Sequence, residues 1–116
     1  MSEVLKAEAL SVLHLLSATP FQELFPLSRN FDPVPSNPGF YAFRHRDDGI
    51  LYIGISTNLR RRFRNGHKAL SWAFVDRLSP DDVRIAAVPM GKLSPPQVER
   101  IESLMIQAVR PCYNVR

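Results

Sequence analysis

The spacing of apolar residues predicts a helix at the start of the chain and an irregular segment after it. Residues 2–17 carry apolar side chains three and four positions apart, as an amphipathic helix requires, and Thr19-Pro20 ends the pattern. The apolar stripe consists of Leu5, Ala9, Val12, Leu13 and Leu16. Residues 20–38 hold five of the ten prolines, so we expect a loop-rich connector there.

The pattern changes to short apolar runs with aromatic residues after residue 38. The run at 39–45 alternates, and the run at 50–55 is continuously apolar except for Gly54. Asp48-Gly49 stands between them and is a strong hairpin signal. We therefore predict two antiparallel strands.

The second half of the chain predicts two further helical regions and a third strand. Residues 58–70 are expected to form one helix, with Ser56 or Thr57 as its N-cap. A further helical piece is expected within 71–79. Residues 81–90 resemble a strand that closes at a proline.

The last helix has the clearest boundaries. Ser94 is the expected N-cap, Pro95 the first helical residue and Pro111 the stop, and an extended tail follows. The order of elements predicts an α+β domain, with a three-stranded antiparallel sheet flanked by helices and an N-terminal helical extension. We expect residues 1–37 to pack as helix and connector on the domain formed by 38–116.

The positive charge is concentrated in the second half of the chain. Up to Asp48 there are four basic and six acidic residues, a net of −2. From Gly49 there are eleven basic and five acidic residues, a net of +6, which together give the overall +4. This asymmetry favours a polyanionic partner, although a solvated basic surface without such a role fits the charge equally well.

Other classes of protein fit the sequence less well. No apolar run approaches the roughly 20 residues of a membrane span, and the N-terminal segment lacks the basic start of a secretory signal. The three histidines lack zinc-ligand spacing. Cys112 is the only cysteine and is expected to be a half-buried core residue. We therefore expect an intracellular protein; association with nucleic acid is what the resemblance described below implies.

Charged residues on two predicted helices are candidates for chemistry. Glu102 falls within the apolar stripe of the last helix, where a carboxylate needs a cation, or else lies at the stripe's edge near water or an arginine. On the earlier helix Arg62 points away from the side of Arg61, so it can face the sheet and an anion. The remaining basic residues are candidates for contacts with a phosphate backbone: Arg60, Arg61, Arg64 and Lys68.

Five elements in order resemble the GIY-YIG nuclease family, from about Pro38 to Arg116. Gly39-Phe40-Tyr41 and Tyr52-Ile53-Gly54 are similar to the two signature triplets. Asn58-Leu59 with Arg62 resembles the helix that follows, and "IESLMIQAVRPCYNV" resembles the closing segment, with Glu102 and Asn114 at the family positions.

The resemblance implies a phosphodiesterase with one divalent metal ion, Mg²⁺ or Mn²⁺, bound by Glu102. It implies that Tyr41 is the general base or orients the attacking water, and that Tyr52 supports it and contacts the scissile phosphate. The other implied roles are charge stabilisation on the phosphate by Arg62, bracing of the site by Asn114, and close backbone approach at Gly39 and Gly54.

One position departs from the family pattern. Some members carry a histidine four residues after the arginine, where this chain has Gly66, with His67 one step later. Asn65-Gly66 can end the helix and turn His67 into the site; otherwise His67 points away and any proton shuttle there is absent.

The resemblance predicts a metal-dependent DNA endonuclease. The alternative is a non-catalytic or partner-dependent nucleic-acid-binding module on the same fold. RNA remains open as a substrate, as do roles in DNA repair or recombination. Because the chain has no room for a second domain that chooses the target, we expect a targeting partner protein, a homodimer or weak sequence specificity.

Overall fold

A computed structural model of the protein describes residues 2–114. Helix α1 (Ser2–Ala18) agrees with the predicted N-terminal helix. The connector after it contains two short 3-10 turns, Phe21–Glu23 and Arg29–Phe31, and a two-residue strand, β1 (Phe25–Pro26). In the part of the chain described, no helix is long and apolar enough to cross a membrane.

The sheet has four antiparallel strands, so the prediction of three was wrong. Strands β2 (Gly39–His45), β3 (Gly49–Ser56) and β4 (Val83–Pro89) confirm the predicted ones, and the sheet order is β1-β4-β2-β3. The additional strand is β1, in which Phe25 pairs with Ile85 and Pro26 with Arg84. The connector's prolines argue against a strand in the sequence, but proline is tolerated at the edge of a sheet, where β1 lies.

The predicted helix at 58–70 is two helices, α2 (Leu59–Arg64) and α3 (Lys68–Val75). Gly66 separates them with φ +85°, a left-handed conformation that glycine adopts readily. The N-cap of α2 is Asn58, whose side chain accepts a hydrogen bond from the Arg61 N–H, so the prediction of Ser56 or Thr57 was wrong.

Helix α4 (Pro95–Val109) begins as predicted. The Ser94 side chain accepts from the Gln97 N–H, and the Gln97 side chain accepts from the Ser94 N–H at 2.9 Å, which completes a capping box. Cys112, just after this helix, is exposed and not half-buried as predicted. It lies in the tail beyond Pro111 rather than within the apolar stripe of α4.

Two apolar clusters cover the two faces of the central sheet. The first joins α1 and α4 to one face and includes Leu16, Phe40, Ile53, Ile101 and Met105. The second joins the connector, α2, α3 and the tail to the other face and includes Val34, Phe43, Phe63, Ala73 and Tyr113. Tyr41 belongs to the second cluster, so the candidate site develops on that side.

Packing of α1 can be tested with two leucines of the same helix. Leu16 is 0% exposed, whereas Leu10 is 65% exposed. We expect Leu16→Ala to lower the free energy of unfolding by about 2–5 kcal/mol, because it leaves a cavity in the core. Leu10→Ala should change it by less than about 0.5 kcal/mol. Urea unfolding measures both; equal effects would contradict the packing described.

Candidate active site

The two signature tyrosines lie on the same face of the hairpin. Tyr41 on β2 is opposite Gly54 on β3, and Tyr52 is opposite Phe43, so the tyrosines are diagonal neighbours. Their ring centroids are 6.1 Å apart. Tyr41 is only 1% exposed, while Tyr52 is partly exposed. The pair therefore extends from the core towards solvent.

Gly54 leaves the space that the Tyr41 ring occupies. A Cβ atom added at Gly54 would lie 2.5 Å from the Tyr41 hydroxyl oxygen and 2.6 Å from its Cζ atom, closer than packed atoms can be. Gly39, in the first triplet, has a similar role at the start of β2, on the same face of the sheet: its Cβ would lie 2.8 Å from Leu59 Cδ1 and 2.9 Å from the Val88 carbonyl oxygen. Both glycines thus permit close approach.

His67 points into the site. Because the chain turns at Gly66, His67 becomes the N-cap of α3, and its Nδ1 accepts a hydrogen bond from the Ala69 N–H at 3.0 Å. Its Nε2 lies 2.7 Å from the Tyr41 hydroxyl oxygen. The sequence signal for this geometry is the Asn-Gly pair directly before the histidine.

The cap decides which ring nitrogen carries hydrogen. Nδ1 can accept from the Ala69 N–H only if Nδ1 is unprotonated, so the hydrogen of a neutral ring resides on Nε2. The Nε2–H therefore donates to the Tyr41 oxygen. In this tautomer His67 cannot take a proton from Tyr41, but it can stabilise negative charge on the Tyr41 oxygen.

The neutral form of His67 is favoured by its surroundings. Burial, the charge of Arg62 and the charge of Lys68 lower the pKa of His67 to about 4. At neutral pH the ring is thus uncharged and keeps the acceptor that caps α3. This is consistent with the tautomer deduced from the hydrogen bonds.

Arg62 on α2 faces the tyrosines, as its spacing from Arg61 predicted. Its Nη1 donates to the Gly66 carbonyl oxygen at 2.9 Å, which supports the turn before His67. Burial raises the pKa of Tyr41, and the charge of Arg62 and its contact with the hydroxyl act against that rise. Arg62 is partly exposed, so its guanidinium is also within reach of a bound anion.

Opposing effects act on the tyrosine hydroxyls. Burial raises the pKa of Tyr41, and Tyr52 and Glu102 raise it further, while Arg62 lowers it. Burial and the charge of Glu102 raise the pKa of Tyr52, while Arg62 and a hydrogen bond with Tyr41 lower it. Positive charge added near Glu102 would therefore favour ionisation of either hydroxyl.

Glu102 on α4 completes the group. Burial raises the pKa of its carboxyl, and the nearby Glu99 adds to this. Within residues 2–114 its carboxylate makes no hydrogen bond or ion pair, and no three His, Cys, Asp or Glu side chains come close enough to hold a metal by themselves. A half-buried, unpaired carboxylate fits a Mg²⁺ ion, which commonly uses one or two carboxylates and takes its other ligands from water and phosphate.

Asn114 braces the open edge of β3. Its Oδ1 accepts from the Ile53 N–H at 2.9 Å, and its Nδ2 donates to the Ile53 carbonyl oxygen at 2.8 Å. The Tyr113 N–H donates to the Leu51 carbonyl oxygen at 2.9 Å. The tail thus pairs with the strand that carries Tyr52, so Asn114 lies beside the site and contacts backbone.

The four residues predicted to contact a phosphate backbone differ in their surroundings. The Arg60 Nε donates to the Val34 carbonyl oxygen at 2.8 Å. Arg64 forms an ion pair with Asp32 at 2.5 Å, and both contacts tie α2 to the connector. Lys68 lies 5.6 Å from the Trp72 ring centroid, and Arg61 is exposed. Arg61 is therefore the most available of the four, a difference that the sequence did not signal.

Comparison with known proteins identifies the family of the chain. Residues 37–114 match the family model described as the GIY-YIG catalytic domain. The chain is also 30% identical over 95 residues to the UvrABC system protein C of Chlorobium chlorochromatii, and 27% identical over 82 residues to that of Legionella pneumophila strain Lens. These matches cover 77% and 71% of this chain.

The family match covers most of the chain, and the chain belongs to the GIY-YIG nuclease family. It spans only 14% and 13% of the length of those two relatives. No solved structure matches it significantly.

The fit of Tyr41 against Gly54 can be tested directly. We expect Gly54→Ala to lower the free energy of unfolding by about 1–3 kcal/mol, because the added methyl group forces the buried ring to move. Urea unfolding measures the change. Thr57→Ala, at an exposed position just after β3, is the control. If both variants were as stable as the wild type, the close approach would be contradicted.

Proposed function

We propose that this chain is a metal-dependent endonuclease that hydrolyses phosphodiester bonds in DNA. The observation that carries the proposal is the convergence of Tyr41, Tyr52, His67 and Arg62 at one end of the hairpin, with the unpaired carboxylate of Glu102 close enough to influence both tyrosines. These groups can position a phosphate, stabilise its charge and remove a proton from water.

The partly exposed members of the site support a proposal for where the phosphate binds. Tyr52, Arg62 and Glu102 are partly exposed, whereas Tyr41 and His67 are buried. The scissile phosphate would therefore approach from the side of Tyr52 and Arg62. There the Arg62 guanidinium can pair with the phosphate oxygens and stabilise the additional charge of the transition state.

The tyrosine pair would act as the general base. The Nε2–H of His67 donates to Tyr41, so the Tyr41 hydroxyl would be free to donate onward to the neighbouring Tyr52, whose ring centroid lies 6.1 Å from that of Tyr41. This chain of donors would stabilise a negative charge shared by the two tyrosine oxygens. Tyr52 would accept the proton from the attacking water on behalf of the pair. His67 is then a positioning residue.

A divalent ion on Glu102 would supply charge neutralisation at the phosphate and make a nearby water more acidic. Mg²⁺ or Mn²⁺ suits an oxygen ligand of this kind. Glu102 would hold the ion, Arg62 would hold the phosphate opposite it, and Asn114 would keep β3 in place beneath both.

DNA is the substrate class we propose, because the similar relatives are UvrABC system proteins and the basic residues suit a phosphate backbone. On the same similarity we propose a role in DNA repair or recombination inside the cell. The second candidate function, a binding module without catalysis, has no specific support, because the five positions carried over from the family hold the family residue: Tyr41, Tyr52, Arg62, Glu102 and Asn114.

Cleavage assays with matched carboxylate variants test this proposal. Supercoiled plasmid, a single-stranded oligonucleotide and a branched junction are incubated with Mg²⁺ or Mn²⁺. We expect cleavage by the wild type, loss with EDTA, and a loss of about 10²-fold or more in Glu102→Gln and Tyr41→Phe. Glu99→Gln, one turn from Glu102 and exposed, should retain most activity.

Two outcomes would contradict the proposal. Equal activity of Glu102→Gln and Glu99→Gln would remove Glu102 from the site. Binding without cleavage on all three substrates would favour the non-catalytic binding module for this chain.

A further inference from the structure

The end of α3 exposes two large apolar side chains close to the candidate active site. Phe74 is 82% exposed and Val75 is 68% exposed. Exposure of a phenyl ring to water is unfavourable relative to its burial, so an exposed aromatic beside a functional site suggests a binding role. The two residues separate two open clefts of about 500 and 470 Å³.

The first cleft meets the candidate active site at Gly66 and His67. Its floor includes Phe63, Gly66 and His67, and Phe31 and Leu70 line its walls. His67 is hydrogen-bonded to Tyr41, and the Gly66 carbonyl accepts from Arg62. A group in this cleft would thus contact His67, the hydrogen-bonding partner of Tyr41.

The charge around the clefts indicates the chemistry of the occupant. Residues 59–77, which include most of the residues that line the clefts, contain six Lys or Arg residues and one Asp, a net of +5, and two of the six, Arg60 and Arg64, are engaged with the connector. Arg77 lines the second cleft, on the far side of Phe74. An occupant that combines a flat aromatic face with negative charge matches an aromatic ring among cations, and a nucleotide has both properties.

We propose that an unpaired base of the DNA substrate, next to the scissile phosphate, stacks on Phe74 in this cleft. The proposal rests on the proposed nuclease function and adds to it the class of substrate: single-stranded or locally unpaired DNA. A base within an intact duplex is stacked and paired, and taking it out costs a few kcal/mol. The cleft therefore favours substrates whose bases are already unpaired.

Binding measured without cleavage tests the proposal separately from catalysis. The protein carries Glu102→Gln, and the probe is a fluorescein-labelled single-stranded oligonucleotide or the same sequence as a duplex. Loss of one stacked base corresponds to about 5- to 100-fold in affinity, so Phe74→Ala should weaken single-strand binding by that factor and duplex binding by less than about twofold. Phe74→Trp should restore it.

Two controls make the result specific. Leu10→Ala removes an exposed apolar side chain from α1 and should leave both affinities unchanged. An oligonucleotide containing 2-aminopurine should lose fluorescence on binding to the protein with Phe74, because stacking quenches it, and should lose much less with Phe74→Ala. Since Phe74 is exposed, the variant is expected to fold normally.

Several results would overturn the proposal. Equal loss of single-strand and duplex binding, or no loss of either, would show that no base stacks on Phe74. If Phe74→Ala instead converted a dimer to a monomer in light scattering without changing DNA binding, the surface would be a contact between copies. If the protein with Glu102 unchanged bound a stacked base but cleaved no substrate, the proposed nuclease function would be contradicted, while the base-binding site on Phe74 would be supported.

Discussion

The hydrogen bond between His67 and Tyr41 is the contact on which the candidate site depends. It joins the start of a helix to the middle of the sheet across 2.7 Å, and it lies among buried aromatic rings. In such surroundings an unpaired hydroxyl or imidazole would be unfavourable by about 1–3 kcal/mol, so the two groups need each other. The bond requires the break at Gly66, the turn held by Arg62, and the space left by Gly54.

This arrangement also fixes which groups donate and which accept the hydrogen bonds of the site. The backbone N–H of Ala69 fixes the tautomer of His67, and that tautomer makes His67 a donor to Tyr41. Burial raises the pKa of Tyr41, so the donor and the charge of Arg62 are needed to bring phenolate formation closer to neutral pH. Tyr41, His67, Arg62 and the glycines thus form one connected unit, in which a change at a glycine or a helix cap reaches the Tyr41 oxygen.

Much of this fold was predictable because its signals are local. The hairpin around Asp48-Gly49 and the capped start of α4 depend on neighbouring residues, and both were found. The edge strand β1 was missed because two residues have no periodicity, and it forms only through pairing with β4. Tyr41, Tyr52, Arg62 and Glu102 were identified by resemblance. The hydrogen bond of His67 with Tyr41 and the ion pair of Arg64 with Asp32 could not be predicted, because each joins segments that are distant in the sequence.

The most direct measurement is the protonation of the His67 ring by ¹⁵N NMR of imidazole-labelled protein, with His67→Asn to assign the signals. We expect hydrogen on Nε2 and an unprotonated Nδ1 at pH 7. The ring should be in the same neutral form at pH 5.5, because the pKa of His67 is lowered to about 4. Hydrogen on Nδ1, or a doubly protonated ring at pH 7, would contradict it. In the first case His67 would accept from Tyr41, and in the second α3 would lose its cap.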